Sequence, residues 1–292
     1  MKKTGGYKMT TYHSLEIEGL NIFYREAGNP NKPVILLLHG FPSASHMFRE
    51  LIPILEKDYY LIAPDYPGFG NTSSPDREDF PYTFDHITEI IEAFIDKLKL
   101  TRYALYVFDY GAPIGFRIAM HHPERVTAII SQNGNIYREG LGEKWTVREE
   151  YWQNPTQEKR ESYRTAFAPN TIKSQYVDGT TENQVSPDGY TLDIAYMSRP
   201  GNDEKQLDLI FDYQNNVKMY PEFQQYLREY QPPLLAVWGE NDVSFIPAGA
   251  EAFKKDLPKA EIHLLDTGHF ALETHAYEIG ELMLIFLKNN GI

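Results

Sequence analysis

Apolar and polar positions alternate along the chain in a way that divides it into three stretches. Near the start, residues 14–17 and 21–26 read as two strands joined at Glu18-Gly19, a hairpin signal. Val34–Leu38 and residues 59–63 are unbroken apolar runs, the mark of strands buried on both faces of a sheet. Ile87, Ile90, Ile91, Phe94, Ile95 and Leu98 recur at helical spacing and predict a helix over residues 84–98. A strand over residues 104–108, a helix over 112–121 that stops before Pro123, and a strand over 126–131 follow. Regular alternation of strand and helix implies a mostly parallel sheet flanked by helices, an α/β fold.

The pattern breaks near Gly134. From there to about Gln231 the chain is polar, rich in Tyr, Glu and Asn, with helical segments and turn-like chemistry at residues 186–189. Alternation returns with a strand at 234–237, a helix at 248–255, a strand at 261–264 and a last helix at 274–288. The expected organisation is therefore one α/β core, residues 1–134 and 232–292, interrupted by a mostly helical cap at 135–231.

Composition narrows the classes of function. Hydrophobic residues make up 42% of the 292, enough to bury a core rather than remain disordered. With 28 basic and 41 acidic residues the net charge is −13, which argues against nucleic acid or an anionic membrane as partner. The absence of cysteine excludes disulfides, thiolate chemistry and Cys-ligated zinc. Residues 1–13 lack the apolar core of a signal peptide, and no run reaches the roughly 18 apolar residues of a membrane span. A cytoplasmic protein is expected.

Four stretches carry candidate chemistry. In YVFDYGAPIGF, residues 106–116, an apolar strand ends at Asp109, a tight turn follows, and then a helix. Such a turn exposes the side chain at its apex, a setting for a nucleophile, although Asp109 could equally cap the helix. In LLLHGFP, residues 36–42, Gly40 lets the chain turn so that the Phe41 N–H points inward. With the N–H of Tyr110 it could form an oxyanion hole. His39 is read as holding that loop rather than as catalytic. VWGENDVSF, residues 237–245, delivers Asp242 at a strand end, and LLDTGHFALE, residues 264–273, places His269 before the last helix. The order nucleophile, acid, base at successive strand ends predicts a triad of Asp109, Asp242 and His269.

Taken together these stretches resemble the α/β-hydrolase superfamily, in particular its branch with an aspartate nucleophile, which holds epoxide hydrolases, haloalkane dehalogenases and fluoroacetate-type dehalogenases. The resemblance runs from Ser14 to Leu287 and includes DYPGFG at residues 65–70. It implies hydrolysis at saturated carbon. A carboxylate, ionised above a pKa of about 3.9, needs no base to attack, so His269 is free to activate water against the resulting ester. No cofactor and no metal are required.

The leaving group separates the reactions. Haloalkane dehalogenases carry a Trp after the nucleophile and a donor such as Asn after His-Gly; here these positions are Tyr110 and Phe41. Fluoroacetate-type enzymes share HGFP but place an Arg where Tyr110 stands. Epoxide hydrolases set two cap tyrosines over the nucleophile. The resemblance of FDYQNN, residues 211–216, to the second of these motifs implies Tyr213, and EEYWQN, residues 149–154, offers Tyr151, or Trp152 as a halide-binding N–H. Epoxide hydrolysis is the first expectation and dehalogenation the alternative. A non-catalytic binding protein on the same scaffold is the third. The many cap aromatics point to an apolar small-molecule substrate, unless they form the core of the cap itself.

Overall fold

The computed structural model describes residues 10–292. Its eight strands are β1 (Thr11–Ile17), β2 (Leu20–Ala27), β3 (Val34–Leu38), β4 (Tyr60–Pro64), β5 (Tyr103–Phe108), β6 (Val126–Gln132), β7 (Leu234–Gly239) and β8 (Glu261–Leu265). They form one sheet in the order β1-β2-β4-β3-β5-β6-β7-β8. β1 and β2 pair antiparallel, as do β2 and β4; every later pair is parallel. The hairpin turns at Glu18 and Gly19, both at positive φ, which matches the right-handed twist of the flanking strands.

Helices α1 (Ile52–Leu55), α2 (Phe84–Lys97) and α3 (Gly111–His121) connect the first strands. Five more, α4 (Lys144–Gln153), α5 (Gln157–Ser162), α6 (Pro169–Val177), α7 (Pro187–Met197) and α8 (Asn202–Tyr230), lie between β6 and β7. The chain ends through α9 (Ala248–Asp256) and α10 (Leu272–Asn289). This is the α/β-hydrolase fold that the resemblance implies.

The central strands explain their unbroken apolar sequence. In β5 the side chains of Tyr103, Leu105 and Val107 enter one core, which they share with α2, α3, α8 and α9. Ala104, Tyr106 and Phe108 enter a second core on the other face, against α1 and α10. Because successive side chains point to opposite faces, a strand covered on both sides must be apolar at every position.

Local signals account for the helix ends. Thr83 caps α2, its hydroxyl accepting the His86 N–H at 3.2 Å. Residues 186–189 start a helix rather than form the expected turn: Ser186 accepts the Asp188 N–H at 3.2 Å and Pro187 opens α7. Proline at the first helical position loses no hydrogen bond, so Ser-Pro-Asp-Gly suits a helix start as well as a turn. α8 runs for 29 residues, from the helical segment back to the sheet, where it packs on α2, α3 and α9. Gln231, in the left-handed region, ends it ahead of Pro232 and Pro233.

Candidate active site

β5 sits at the centre of the sheet, and the chain leaves it through Asp109 at φ +47°. A non-glycine residue held in the left-handed region is strained and persists only where its surroundings enforce it. Here they do. The Asp109 carbonyl accepts the Ala112 N–H at 3.0 Å, and α3 begins at once, pressed against β3. A Cβ on Gly111 would stand 2.3 Å from the Leu38 carbonyl oxygen, so only glycine allows this approach. The alternative role of Asp109 as a helix cap is not what its side chain does. The residue at the cap position is Tyr110, with no side-chain capping bond, while the Asp109 carboxylate turns to the neighbouring loop.

That loop is the end of β3. The Phe41 N–H donates to Asp109 Oδ1 at 2.7 Å. Gly40 makes room for the carboxylate, since a Cβ there would lie 2.4 Å from the Asp109 Cβ. His39 is wholly buried and stacks on Tyr66 with ring centroids 4.0 Å apart. Its Nε2 accepts the Tyr66 N–H at 3.1 Å, and its Nδ1 lies 3.2 Å from the Gly40 carbonyl oxygen. Burial drives its pKa down to about 3, which keeps the ring neutral. His39 thus ties the 39–42 loop to the 65–70 loop, where the Asp65 carboxylate accepts the N–H groups of Ser45 and Asn71.

β7 and β8 bring the other two groups. His269 Nδ1 lies 2.6 Å from Asp242 Oδ2, and His269 Nε2 lies 3.8 Å from Asp109 Oδ2. The second distance is too long for a direct hydrogen bond. Asp242 Oδ1 accepts the N–H groups of Ser244 at 2.7 Å and Phe245 at 3.2 Å. Its Oδ2 also accepts from Asn133 Nδ2 at 2.8 Å. Asn133 was not singled out in the sequence, although it directly follows β6, at a strand end like the other site residues. Its side-chain Oδ1 accepts the Gly239 N–H at 3.0 Å, which braces the loop carrying Asp242.

Burial and charge act against each other at all three groups. Burial raises the Asp109 carboxyl above its ordinary range, only partly offset by His269, the N–H groups of Phe41 and Tyr110, and Arg148. Burial also opposes ionisation of Asp242, but His269 and the donors around it prevail and hold its carboxyl low. At His269 burial disfavours the imidazolium, and the carboxylates of Asp242 and Asp109 outweigh it, so its pKa lies above the ordinary value.

A cavity of about 200 Å³ lies over these groups, walled below by Phe41, Asp109, Tyr110 and His269 and above by residues of α4, α6 and α8. Its lining combines apolar side chains such as Phe41, Trp145 and Ile210 with charged and polar ones. Lys144, Arg148, Ser174, Gln175 and Asp178 are among its walls, and none of them stood out in the sequence. The aromatics instead pack on one another. Tyr213 does not line the cavity; it is fully buried behind Tyr110 and Trp145, with ring centroids 5.7 and 4.8 Å away. Tyr151 packs between Tyr163 and Phe211. Trp152 donates its indole N–H to the Ile210 carbonyl at 3.2 Å. None of the three expected leaving-group residues lines this cavity: Tyr151 and Tyr213 are buried among other rings, and Trp152 is partly exposed. Among the described residues no cluster of three or more His, Asp or Glu side chains could hold a metal ion, and no helix is long and apolar enough to cross a membrane.

The arrangement has counterparts. Residues 33–276 match the family model described as alpha/beta hydrolase fold. An uncharacterized hydrolase of Saccharomyces cerevisiae is 44% identical over 285 residues, covering 96% of this chain and 98% of its own. A haloalkane dehalogenase of Psychrobacter cryohalolentis is 27% identical, over 93% of this chain and 88% of its own. The crystal structure of an epoxide hydrolase from Vigna radiata superposes with a TM-score of 0.75 at 22% identity, covering 96% of this chain and 98% of that one, a likeness of fold. The chain belongs to the α/β-hydrolase family, in the branch with an aspartate at the turn between the central strand and its helix.

Proposed function

We propose that this protein hydrolyses epoxides through a covalent ester on Asp109. One observation carries the reading: the Asp109 carboxylate is held at Oδ1 by the Phe41 N–H, while Oδ2 faces His269 Nε2 across 3.8 Å at the floor of the cavity. Oδ2 attacks an epoxide carbon, the ring C–O bond breaks, and the departing oxygen takes a proton from the Tyr110 hydroxyl. His269 then removes a proton from water, whose oxygen adds to the Asp109 carboxyl carbon. Charge gathers on Oδ1, already in contact with the Phe41 N–H. Collapse expels the diol, which carries Oδ2 and takes its proton from His269. Reionisation of Asp109 supplies the proton that restores the Tyr110 phenol. Asp242 fixes the imidazole with Nε2 toward the water and steadies its charge.

The choice of epoxide over halide rests on the donors present. Halide needs N–H groups around it, and both indoles near the cavity are engaged, Trp145 with the Ser244 carbonyl at 3.0 Å and Trp152 with Ile210. Tyr110 instead lines the cavity beside the nucleophile and has a phenol to offer as the acid. Burial raises that phenol above its usual value, and the charge of Arg148 acts in the opposite direction. Displacement of halide is the second reading, which the positive charge of Lys144 and Arg148 would favour.

A paired turnover assay tests this: diol from a panel of epoxides, halide from haloalkanes and haloacetates. Diol formation that Asp109→Ala abolishes is expected, with Tyr110→Phe lowering kcat/KM by roughly 100-fold or more. Release of halide with no diol from any epoxide would overturn the epoxide reading.

The pH profile follows from the same groups. Ester hydrolysis needs neutral His269, whose pKa lies above the 6.5 of a free imidazole. Raising the pH through its pKa deprotonates it, so kcat should climb along a limb set by that pKa, with the charge of Asp242 opposing burial once Asp109 is esterified and neutral. In Asp242→Asn the limb should move to lower pH while the plateau falls. Ester decay in stopped-flow measurements with no acidic limb, or with a limb that Asp242→Asn leaves in place, would contradict the assignment.

A further inference from the structure

Two cations of the cavity take no part in the steps above. Lys144 and Arg148 stand four residues apart on α4 and so share one face of it. Both line the cavity with Asp109 and Tyr110. Several basic residues between β6 and β7 are paired with carboxylates, and those that are not, Lys159, Arg199, Lys205 and Lys218, lie outside the cavity lining. Arg160 and Arg164 are held by Glu204, Asp208, Asp203 and Glu161, and Lys173 by Glu182. Among the described residues neither Lys144 nor Arg148 has a carboxylate within 4.0 Å. The Arg148 guanidinium lies instead 4.5 Å over the Trp145 ring and 5.7 Å from that of Tyr163. Stacking of this kind orients the guanidinium and leaves its charge uncompensated.

That charge is felt by the reacting groups. Arg148 favours the ionised forms of Asp109 and Tyr110, and Lys144 disfavours the imidazolium of His269. In a chain of net charge −13 an anion is repelled at long range. At the site it would also meet the carboxylate it has to alkylate. Two uncompensated cations beside the nucleophile are what a negatively charged substrate needs to overcome both. Of the other carboxylates in the lining, Asp242 is paired with His269, and Asp178, which follows α6, is the one that opposes the two cations.

We infer that Lys144 and Arg148 form an anion subsite and that the substrate is a small epoxide bearing a carboxylate. The small cavity, about 200 Å³, restricts the rest of the molecule to a few atoms beyond the ring. The epoxide rests on the function proposed above, and the anion subsite does not.

Two measurements separate them. The first compares turnover of 2,3-epoxypropanoate with that of 2,3-epoxypropanamide, which match in shape and differ in charge. The acid should be favoured in kcat/KM by roughly 10- to 100-fold at low salt, the range of a charge-assisted contact. The advantage should shrink as ionic strength rises. In Lys144→Gln/Arg148→Gln the ratio should fall to about one, and Arg148→Lys should retain part of it. The second measurement omits the chemistry: calorimetric binding of 2,3-dihydroxypropanoate and its amide to Asp109→Asn protein. The acid should bind more tightly, and the double replacement should remove the difference.

Equal binding of acid and amide overturns the subsite, as does a preference that survives the double replacement. So does an Arg148→Gln protein whose pH limb moves equally for both epoxides at an unchanged ratio, because the cation would then serve only to ionise Asp109. Selective binding of the acid with no diol from either epoxide would leave the subsite standing and remove the epoxide.

Discussion

A His269→Gln protein is expected to stop halfway. Asp109 keeps its carboxylate, its turn and its contact with the Phe41 N–H, so alkylation proceeds. No base remains to activate water, and the ester accumulates. Intact-protein mass spectrometry should find one adduct per chain, mapped by proteolysis to the peptide that holds Asp109. The added mass also identifies the chemistry. An epoxide adds its whole mass, whereas a halide adds its mass less that of hydrogen halide. Steady-state turnover should fall by about 10⁴-fold or more, as when a group that acts within a catalytic set is removed. Isotope placement gives an independent check on the wild type. A single turnover in ¹⁸O-water should label the Asp109 carboxyl and leave the first diol unlabelled, because the diol carries Oδ2 away. Label in the first diol would mean that water attacks the substrate directly, and the covalent mechanism would fall.

Gly40→Ala should have the largest effect among substitutions that leave Asp109, Asp242 and His269 in place. Its Cβ would stand 2.4 Å from the Asp109 Cβ, 2.7 Å from Asp109 Oδ1 and 2.7 Å from the Phe108 carbonyl oxygen. The first and third of these belong to the turn after a central strand, which has little freedom to retreat. The 39–42 loop has to move instead, and it takes the Phe41 N–H off Oδ1. Removing a donor of this kind costs about 100- to 1,000-fold in kcat, and forcing a methyl group into a packed site costs roughly 1–3 kcal/mol of stability. Turnover measured with the thermal midpoint separates the two effects. Wild-type kcat in this variant would mean that the loop yields without loss and that the Phe41 N–H is not needed.

These two expectations start from features of unequal legibility. Asp109, Gly40, Asp242 and His269 could be picked out of the chain because each is marked locally. An apolar run ends, a turn-forming residue follows, and a helix begins; such rules operate over a few neighbouring residues. The strands of the sheet are legible for the same reason, since burial on both faces demands apolar residues at every position of β3, β5 and β7. The misread stretch at residues 186–189 shows the limit of local rules. Ser-Pro-Asp-Gly satisfies a turn and a helix start alike, and the packing of α7 on α6 and α8 selected the helix.

The walls of the cavity lay beyond such rules. With 21 tyrosines in the chain, nothing local separates a ring that faces the nucleophile from one that packs behind it. Tyr213 lies behind Tyr110 because Phe84, Trp145 and Phe245 arrive from distant elements to enclose it. The significance of Lys144 and Arg148 is likewise a matter of what is missing around them. Salt bridges join residues far apart in sequence, as with Arg160 and Glu204, so an uncompensated cation is recognisable only once every neighbour is placed. Asn133 belongs to the same class, because its meaning is its contact with Asp242 across the ends of β6 and β7. The sequence by itself determined the sheet, the turn at its centre and the order of the three candidate catalytic groups, because periodicity and turn chemistry act at short range. Only the tertiary structure decided which side chains face the substrate, because burial and charge compensation are sums over neighbours that the chain brings together from far away.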